Sequence, residues 1–353
     1  MSKQAFRFEY LDGIRGLLAV FVALSHIYGA LTGYAPGRPF EGAYLAVDMF
    51  FVMSGFVLAK SLEFQKEKWI FFFLKRLARL WPLHFLGVVL VLVVLHFNEL
   101  RNQYVPDYWS YLNVNSIIKN IFFLENIGLS KDVLINDPSW SISIEFWVGV
   151  SLLYFFQKFN LKWSALLISL ASYYVVVNKF GGSLAANQNI YDGVNAGLLR
   201  GIGGIALGLF LSNCNLTQRG GRLTQELAAW LGFLFVIFCI CNNGFYWDLV
   251  VVLVFSLLVL LLKDQHLLIS SFLSASFLTW LGEISFSIYL LHTAIILFIG
   301  PAIYMKNFGI HLVALGVLLF VLFFSWVVYL FYERPSRLML YSRIGVIKKS
   351  LKV

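Results

Sequence analysis

Seven ionisable residues lie inside long apolar runs of this chain: Arg15, His26, Asp48, Glu145, Arg200, Glu283 and His292. A charged group deep in a bilayer costs at least a few kcal/mol, so such residues turn towards a polar interior and mark chemistry or a transport path. The plainer reading of any one of them is a polar group satisfied by the next helix. His84 and His96 sit at the two ends of one run, where water is near, and are set aside.

Arg15 and His26 are eleven residues apart, almost three helical turns, so one helix carries both on one face about 16 Å apart along its axis. Such a helix can hold an anion at one end and move a proton at the other. A histidine with its usual pKa near 6.5 is largely neutral at pH 7 and suits the role of general base. Asp48 or Glu145 could orient its ring, as a carboxylate does in hydrolase triads. Arg200 or His292 could stabilise an oxyanion or place an acceptor. Arg76 and Arg79, three apart and close to Pro82, form adjacent guanidinium forks of the kind that bind phosphate. Ser54 admits an acyl-serine intermediate, but Ser54-Gly55 reads better as small residues that let helices approach. Ser141 and Ser143 read as helix-start or packing residues.

The elements that must position these residues are legible in composition. Sixty per cent of the 353 residues are hydrophobic and 13% charged, and the mean hydropathy is +0.79. Lipid is therefore the main solvent, and the expected fold is all-α, a polytopic integral membrane protein of about ten transmembrane helices. The apolar runs fall at about 14–31, 43–59, 82–97, 139–157, 163–177, 195–211, 227–241, 247–262, 277–299 and 311–332. The net charge of +9 comes from basic residues in short connections between these runs, which points to orientation in a membrane and away from nucleic acid. Counting along the alternation puts nineteen Lys and Arg on the side of the N-terminus and six on the other. The first group includes Lys3, Lys60, Lys66, Lys68, Arg219 and the six from Arg334 to Lys352; the second includes Lys131 and Lys306. The positive-inside rule then places both termini in the cytoplasm.

With that orientation, counting residues from the span ends places His26, Asp48, Glu145, Arg200 and His292 in one layer about 8–11 Å below the outer surface. Arg15, Arg76, Arg79 and Arg334 gather at the inner boundary. The basic stretch from Lys60 to Leu80 is expected as an interfacial segment. The long connection from Asn98 to Pro138 is expected to carry a partly buried helix near Ile117 to Leu124. Cys214, Cys239 and Cys241 have neither the spacing of a metal site nor that of a disulfide framework. The first apolar run reads as a retained helix, with one domain over 1–340 and a basic cytoplasmic tail over 341–353.

Six segments occur in an order that resembles the acyltransferase family 3 membrane proteins, bacterial O-acyltransferases of surface and exported sugars. They are Arg15 to His26 in YLDGIRGLLAVFVALSH, DMFFVMSGF (Asp48 to Phe56) and KRLARLWP (Lys75 to Pro82). DPSWSISIEF (Asp137 to Phe146), ISFSIYLLH (Ile284 to His292) and YERP (Tyr332 to Pro335) follow. The resemblance implies acyl transfer from cytoplasmic acyl-CoA, usually acetyl-CoA, to a glycan hydroxyl, with no metal. It implies a catalytic His26, an essential Arg15, and donor binding by Arg76 and Arg79. Lipopolysaccharide with its O-antigen, capsule, exopolysaccharide, peptidoglycan and small exported glycosides are all open as acceptor partners, at the bacterial inner membrane. Many relatives carry an extra soluble hydrolase-like domain, which this sequence does not contain.

A transporter or flippase for a glycan or lipid-linked sugar would also explain buried charge, but gives no reason for an arginine pair at one mouth. It also predicts inverted repeats, which are not evident. A non-catalytic scaffold gives no reason for a polar layer at all.

Overall fold

A chain in hydrocarbon must satisfy every backbone N–H and C=O within itself, and helices do this locally. The computed structural model describes residues 7–65, 67–128, 133–185, 190–191, 194–214, 221–242, 247–263, 267–303 and 309–350. Its long helices are α1 (Glu9–Thr32), α2 (Leu45–Gln65) and α3 (Trp69–Leu100), then the short α4 (Val114–Ile121). α5 (Ser139–Val148), α6 (Tyr154–Lys158), α7 (Lys162–Lys179), α8 (Ala196–Ser212), α9 (Arg222–Cys241) and α10 (Asp248–Leu262) come next. The short α11 (Leu268–Leu273), α12 (Ser276–Ile303), α13 (Ile310–Val328) and α14 (Arg334–Ser350) complete the order. One antiparallel pair of two-residue strands, Ile190–Tyr191 with Val194–Asn195, interrupts an otherwise helical protein.

All ten apolar runs are helical. Among the described residues seven helical stretches are long and apolar enough to cross a membrane: α1, Glu41–Gln65, α3, Ser139–Lys158, α9, Ser276–Gly300 and Ile310–Ser350. α8 and α10 are apolar but shorter. The protein is therefore an all-helical membrane protein. Lys3, Lys66, Lys131, Arg219, Lys306 and Lys352 of the charge tally lie outside the described residues.

Two π-turns shape the bundle. Gly149–Leu153 joins α5 to α6, and Tyr329–Glu333 joins α13 to α14. Each adds a residue to a turn and re-aims the face that follows. Through the second, the buried Glu333 accepts a hydrogen bond from Ser287 Oγ on α12 at 2.7 Å. Close approach does the rest. A side chain at Gly55 would place its Cβ 2.1 Å from the Ile205 carbonyl oxygen, so α2 and α8 touch backbone to backbone. Gly282 on α12 likewise meets the Asp12 carbonyl of α1 at 2.2 Å.

Three expectations change. The third helix starts at Trp69, not near residue 82, and runs through Pro82 for 32 residues. The basic stretch from Lys60 to Leu80 is thus the end of α2 and the first turns of α3, with no separate interfacial helix. His84, taken to be near water, is fully buried, with Nε2 2.5 Å from the Asn120 carbonyl. That contact exists because the long connection folds back, with α4 close to its expected place.

Candidate active site

α1 carries Arg15 at one end of the bundle and His26 towards the other, as eleven-residue spacing requires. At the His26 end, α12 brings in the buried His292. The two imidazoles are nearly parallel, 4.9 Å between ring centres, with His26 Nδ1 2.7 Å from His292 Nε2. His292 Nδ1 lies 3.0 Å from the Ile288 carbonyl, which can only accept, so that nitrogen bears the proton. Nε2 of neutral His292 is then an acceptor, and His26 donates to it from Nδ1. The lone pair of neutral His26 is left on Nε2, where Asp137 stands 3.9 Å away.

His26 and Asp137 border a cavity of about 690 Å³. Tyr34, Asn98, Tyr104 and Tyr108 add polar groups to a wall that is otherwise largely apolar. Burial, then the charge of Asp137, raises the Tyr34 and Tyr108 phenols above their ordinary range, so both stay protonated, with Tyr108 donating to the Ile135 carbonyl at 3.2 Å.

The opposite, basic end holds a second site. Arg76 Nη2 donates to Glu145 Oε1 at 2.7 Å, and Ser54 Oγ donates to the same oxygen at 2.8 Å. These groups line a cavity of about 120 Å³ with Arg15 and Arg79 at one end and Ser141 and Tyr289 at the other. Ser141 and Glu145 are four apart on α5 and so share this face. The Ser141 and Tyr289 hydroxyls are 2.8 Å apart and buried, and the Tyr289 ring is 6.3 Å from that of His292. Tyr289 thus stands between the basic-end cavity and the histidine pair.

Asp48 and Arg200 form a third group. Arg200 grips the carboxylate at 2.6 and 3.3 Å, donates to the Tyr44 carbonyl at 3.1 Å, and lies over the Trp140 ring at 5.2 Å. Both side chains are essentially inaccessible to solvent. The single layer expected for His26, Asp48, Glu145, Arg200 and His292 is thus three separate clusters. Of these five, His26 meets His292 and Asp48 meets Arg200, while Glu145 lies apart with Arg76. The carboxylate beside His26 is Asp137, which precedes the expected helix start and had no depth to count; its place in the DPSWSISIEF segment was the available signal. Glu283 sits at the basic end, paired with Arg7 at 3.1 Å. Among the described residues no group of His, Cys, Asp and Glu converges as a metal site would.

A family model described as an acyltransferase domain matches residues 8–330. The chain belongs to this acyltransferase family. Among curated proteins, O-acetyltransferase OatA of Staphylococcus aureus is 26% identical over 370 aligned residues, 93% of this chain and 57% of the relative. The chain therefore spans little more than half the length of that acyltransferase. Protein 2 in picA locus of Rhizobium radiobacter is 29% identical over 188 residues, 48% of this chain and 94% of that protein. Peptidoglycan O-acetyltransferase OatA of Listeria monocytogenes is 25% identical over 169 residues, 45% of this chain and 24% of the relative. No solved structure matches the chain.

Proposed function

We propose that the protein is an O-acyltransferase of the bacterial inner membrane that moves an acetyl group from cytoplasmic acetyl-CoA to a hydroxyl of an exported or surface glycan. The observation that carries this is the neutral His26 Nε2, an open acceptor facing a cavity of about 690 Å³. The family match and the names of the Staphylococcus and Listeria relatives support O-acetyl transfer. Cell-wall peptidoglycan, lipopolysaccharide, capsule and exopolysaccharide all present suitable hydroxyls, and the phenols and amides of the wall suit a polyhydroxylated acceptor.

In this reading the arginines face the cytoplasm. The donor phosphates bind at the basic end and the pantetheine arm runs past Ser54 and Glu145 towards Tyr289. His26 Nε2 takes the proton of the acceptor hydroxyl as its oxygen attacks the thioester carbonyl. The new C–O bond forms, the C–S bond breaks, and the imidazolium returns the proton to the departing thiolate. Asp137 steadies the imidazolium while it exists, and His292 holds the ring in the productive tautomer. Arg15 and Arg79 are donor-binding groups here, Arg76 and Glu145 order the donor channel, and Ser54 holds the Glu145 carboxylate. Asp48 and Arg200 brace the helices around Trp140.

Purified protein in nanodiscs, given radiolabelled acetyl-CoA and oligosaccharide fragments of surface glycans, should transfer label to an alkali-labile ester. Binding of acetyl-CoA without transfer to any hydroxyl acceptor would overturn this reading.

A further inference from the structure

Next to the donor cavity lies a wider vestibule of about 450 Å³ in which Arg15 and Arg79 of the sequence motifs are joined by Arg7 and Arg337, which the motifs leave unexplained. Arg7, Arg15, Arg79 and Arg337 line it against only two acids, Asp12 and Glu283. Those acids are already engaged. Asp12 accepts from Arg7 at 2.6 Å and from Arg15 at 2.8 Å, and Glu283 accepts from Arg7 at 3.1 Å. Arg79 makes no hydrogen bond or ion pair among the described residues and is exposed to the vestibule. Among the described residues Arg337 pairs only with Glu333, at 3.6 Å, and the other oxygen of that carboxylate accepts from Ser287.

The position of Arg337 follows from the second π-turn. Glu333, Arg337 and Tyr341 are spaced by four and share one face of the helix. With Glu333 turned in to Ser287, Arg337 and Tyr341 follow onto the vestibule wall. Arg79 from α3 and Arg337 from α14 line this one vestibule. The vestibule shares Arg15, Val57, Arg79, Gly282 and Glu283 with the donor cavity, so one passage leads from the surface to Ser141 and Tyr289.

Two guanidinium groups with spare donors at the wide mouth of a passage suit a phosphate dianion. We propose that Arg337, with Arg79, binds the ribose 3′-phosphate of the acyl-CoA donor in this vestibule. The assignment rests on the acyl-CoA reading above. It separates the work of the KRLARLWP arginines: Arg79 meets the donor, whereas Arg76 is committed to Glu145. An anionic lipid headgroup offers similar phosphate chemistry at the same end of the bundle, so the test must distinguish the two.

The test compares CoA with dephospho-CoA, which lacks only the 3′-phosphate, by calorimetry on full-length protein in phosphatidylcholine nanodiscs. Wild type is expected to bind CoA about tenfold more tightly than dephospho-CoA, as a charge-assisted contact predicts. Arg337→Ala should erase that preference while keeping its affinity for dephospho-CoA, which also reports that the variant is folded. Arg337→Lys should restore part of it. A preference undiminished in Arg337→Ala, or absent from wild type that still binds CoA, overturns the 3′-phosphate assignment and leaves the acyltransferase reading standing. An effect of Arg337→Ala seen only when phosphatidylglycerol is added identifies a lipid site and also overturns it. Wild type that binds neither nucleotide overturns the acyl-CoA reading and this assignment together.

Discussion

His26 donates its Nδ1 proton to His292 Nε2 across 2.7 Å, and His292 is held by donating its own Nδ1 proton to the Ile288 carbonyl. The backbone of α12 therefore sets which nitrogen of His26 is free. His26→Ala should lower acetyl transfer by about 10²–10⁴-fold, the usual worth of a positioned base. His292→Leu removes only the tautomer lock and should cost less, while His292→Asn keeps an acceptor and should cost least. Transfer assays with labelled acetyl-CoA rank the three; a silent His292→Leu would count against the lock.

Asp137 faces His26 Nε2 at 3.9 Å from a half-exposed position. Asp137→Asn should reduce kcat by about tenfold by weakening support for the imidazolium, a charge contact worth roughly 1.4 kcal/mol. The donor KM should stay unchanged, since the donor cavity lies on the far side of Tyr289. A large rise in donor KM would relocate Asp137's influence.

Asp48 and Arg200 are a buried ion pair, so removing one partner strands the other. Asp48→Ala or Arg200→Ala should each destabilise the protein by about 3–5 kcal/mol. The double variant Asp48→Leu, Arg200→Met replaces the pair with apolar bulk and should recover much of the loss in thermal unfolding, with activity returning alongside. A stable double variant without activity would assign the pair to the chemistry.

Glu145→Gln leaves the buried Arg76 facing a neutral amide. The donor KM should rise by about tenfold, the worth of one charge-assisted contact, with the acceptor KM nearly unchanged. A rise in acceptor KM alone would return Glu145 to the His26 neighbourhood.

Gly55→Ala has no room between α2 and α8, because its Cβ would meet backbone at 2.1 Å. Thermal stability in detergent should fall by about 1–3 kcal/mol, the range for overpacked cores. Gly345→Ala, where nothing among the described residues lies within 4 Å, is the control.

Each of the ten apolar runs read from hydropathy falls in helix, because a buried backbone leaves one local solution. Seven stretches among the described residues have spanning length, however, and α4, α11 and α14 lie wholly or largely outside the runs. The eleven-residue spacing likewise placed Arg15 and His26 at opposite ends of α1. Depth, however, is one coordinate of three. Counting residues from helix ends put Asp48, Glu145 and His26 at similar levels, but it carried no information on the direction each helix face takes across the bundle. Glu145 turned to Arg76 on α3, and Asp48 turned to Arg200 on α8. Hydropathy puts the start of the third span near Pro82 and Arg76 on a separate interfacial segment, so nothing aimed the Arg76–Arg79 face at Glu145. The partner of His26 lay in a connection, where no periodicity announces a side chain. The π-turn that brings in Glu333 and Arg337 is an insertion of a single residue and leaves no compositional trace.

The hydroxyl contact between Ser141 and Tyr289 has a bearing on the cell's energy supply. A membrane holding 100 mV stores about 2.3 kcal/mol for every elementary charge that crosses. Two water-filled cavities meeting end to end would offer protons and small ions a leak down that gradient. In the acyl-transfer reading, a buried aromatic ring between them acts as an insulator. It blocks charge while an uncharged two-carbon unit on a slender arm is handed through, so the enzyme can export acetyl groups without discharging the membrane it sits in.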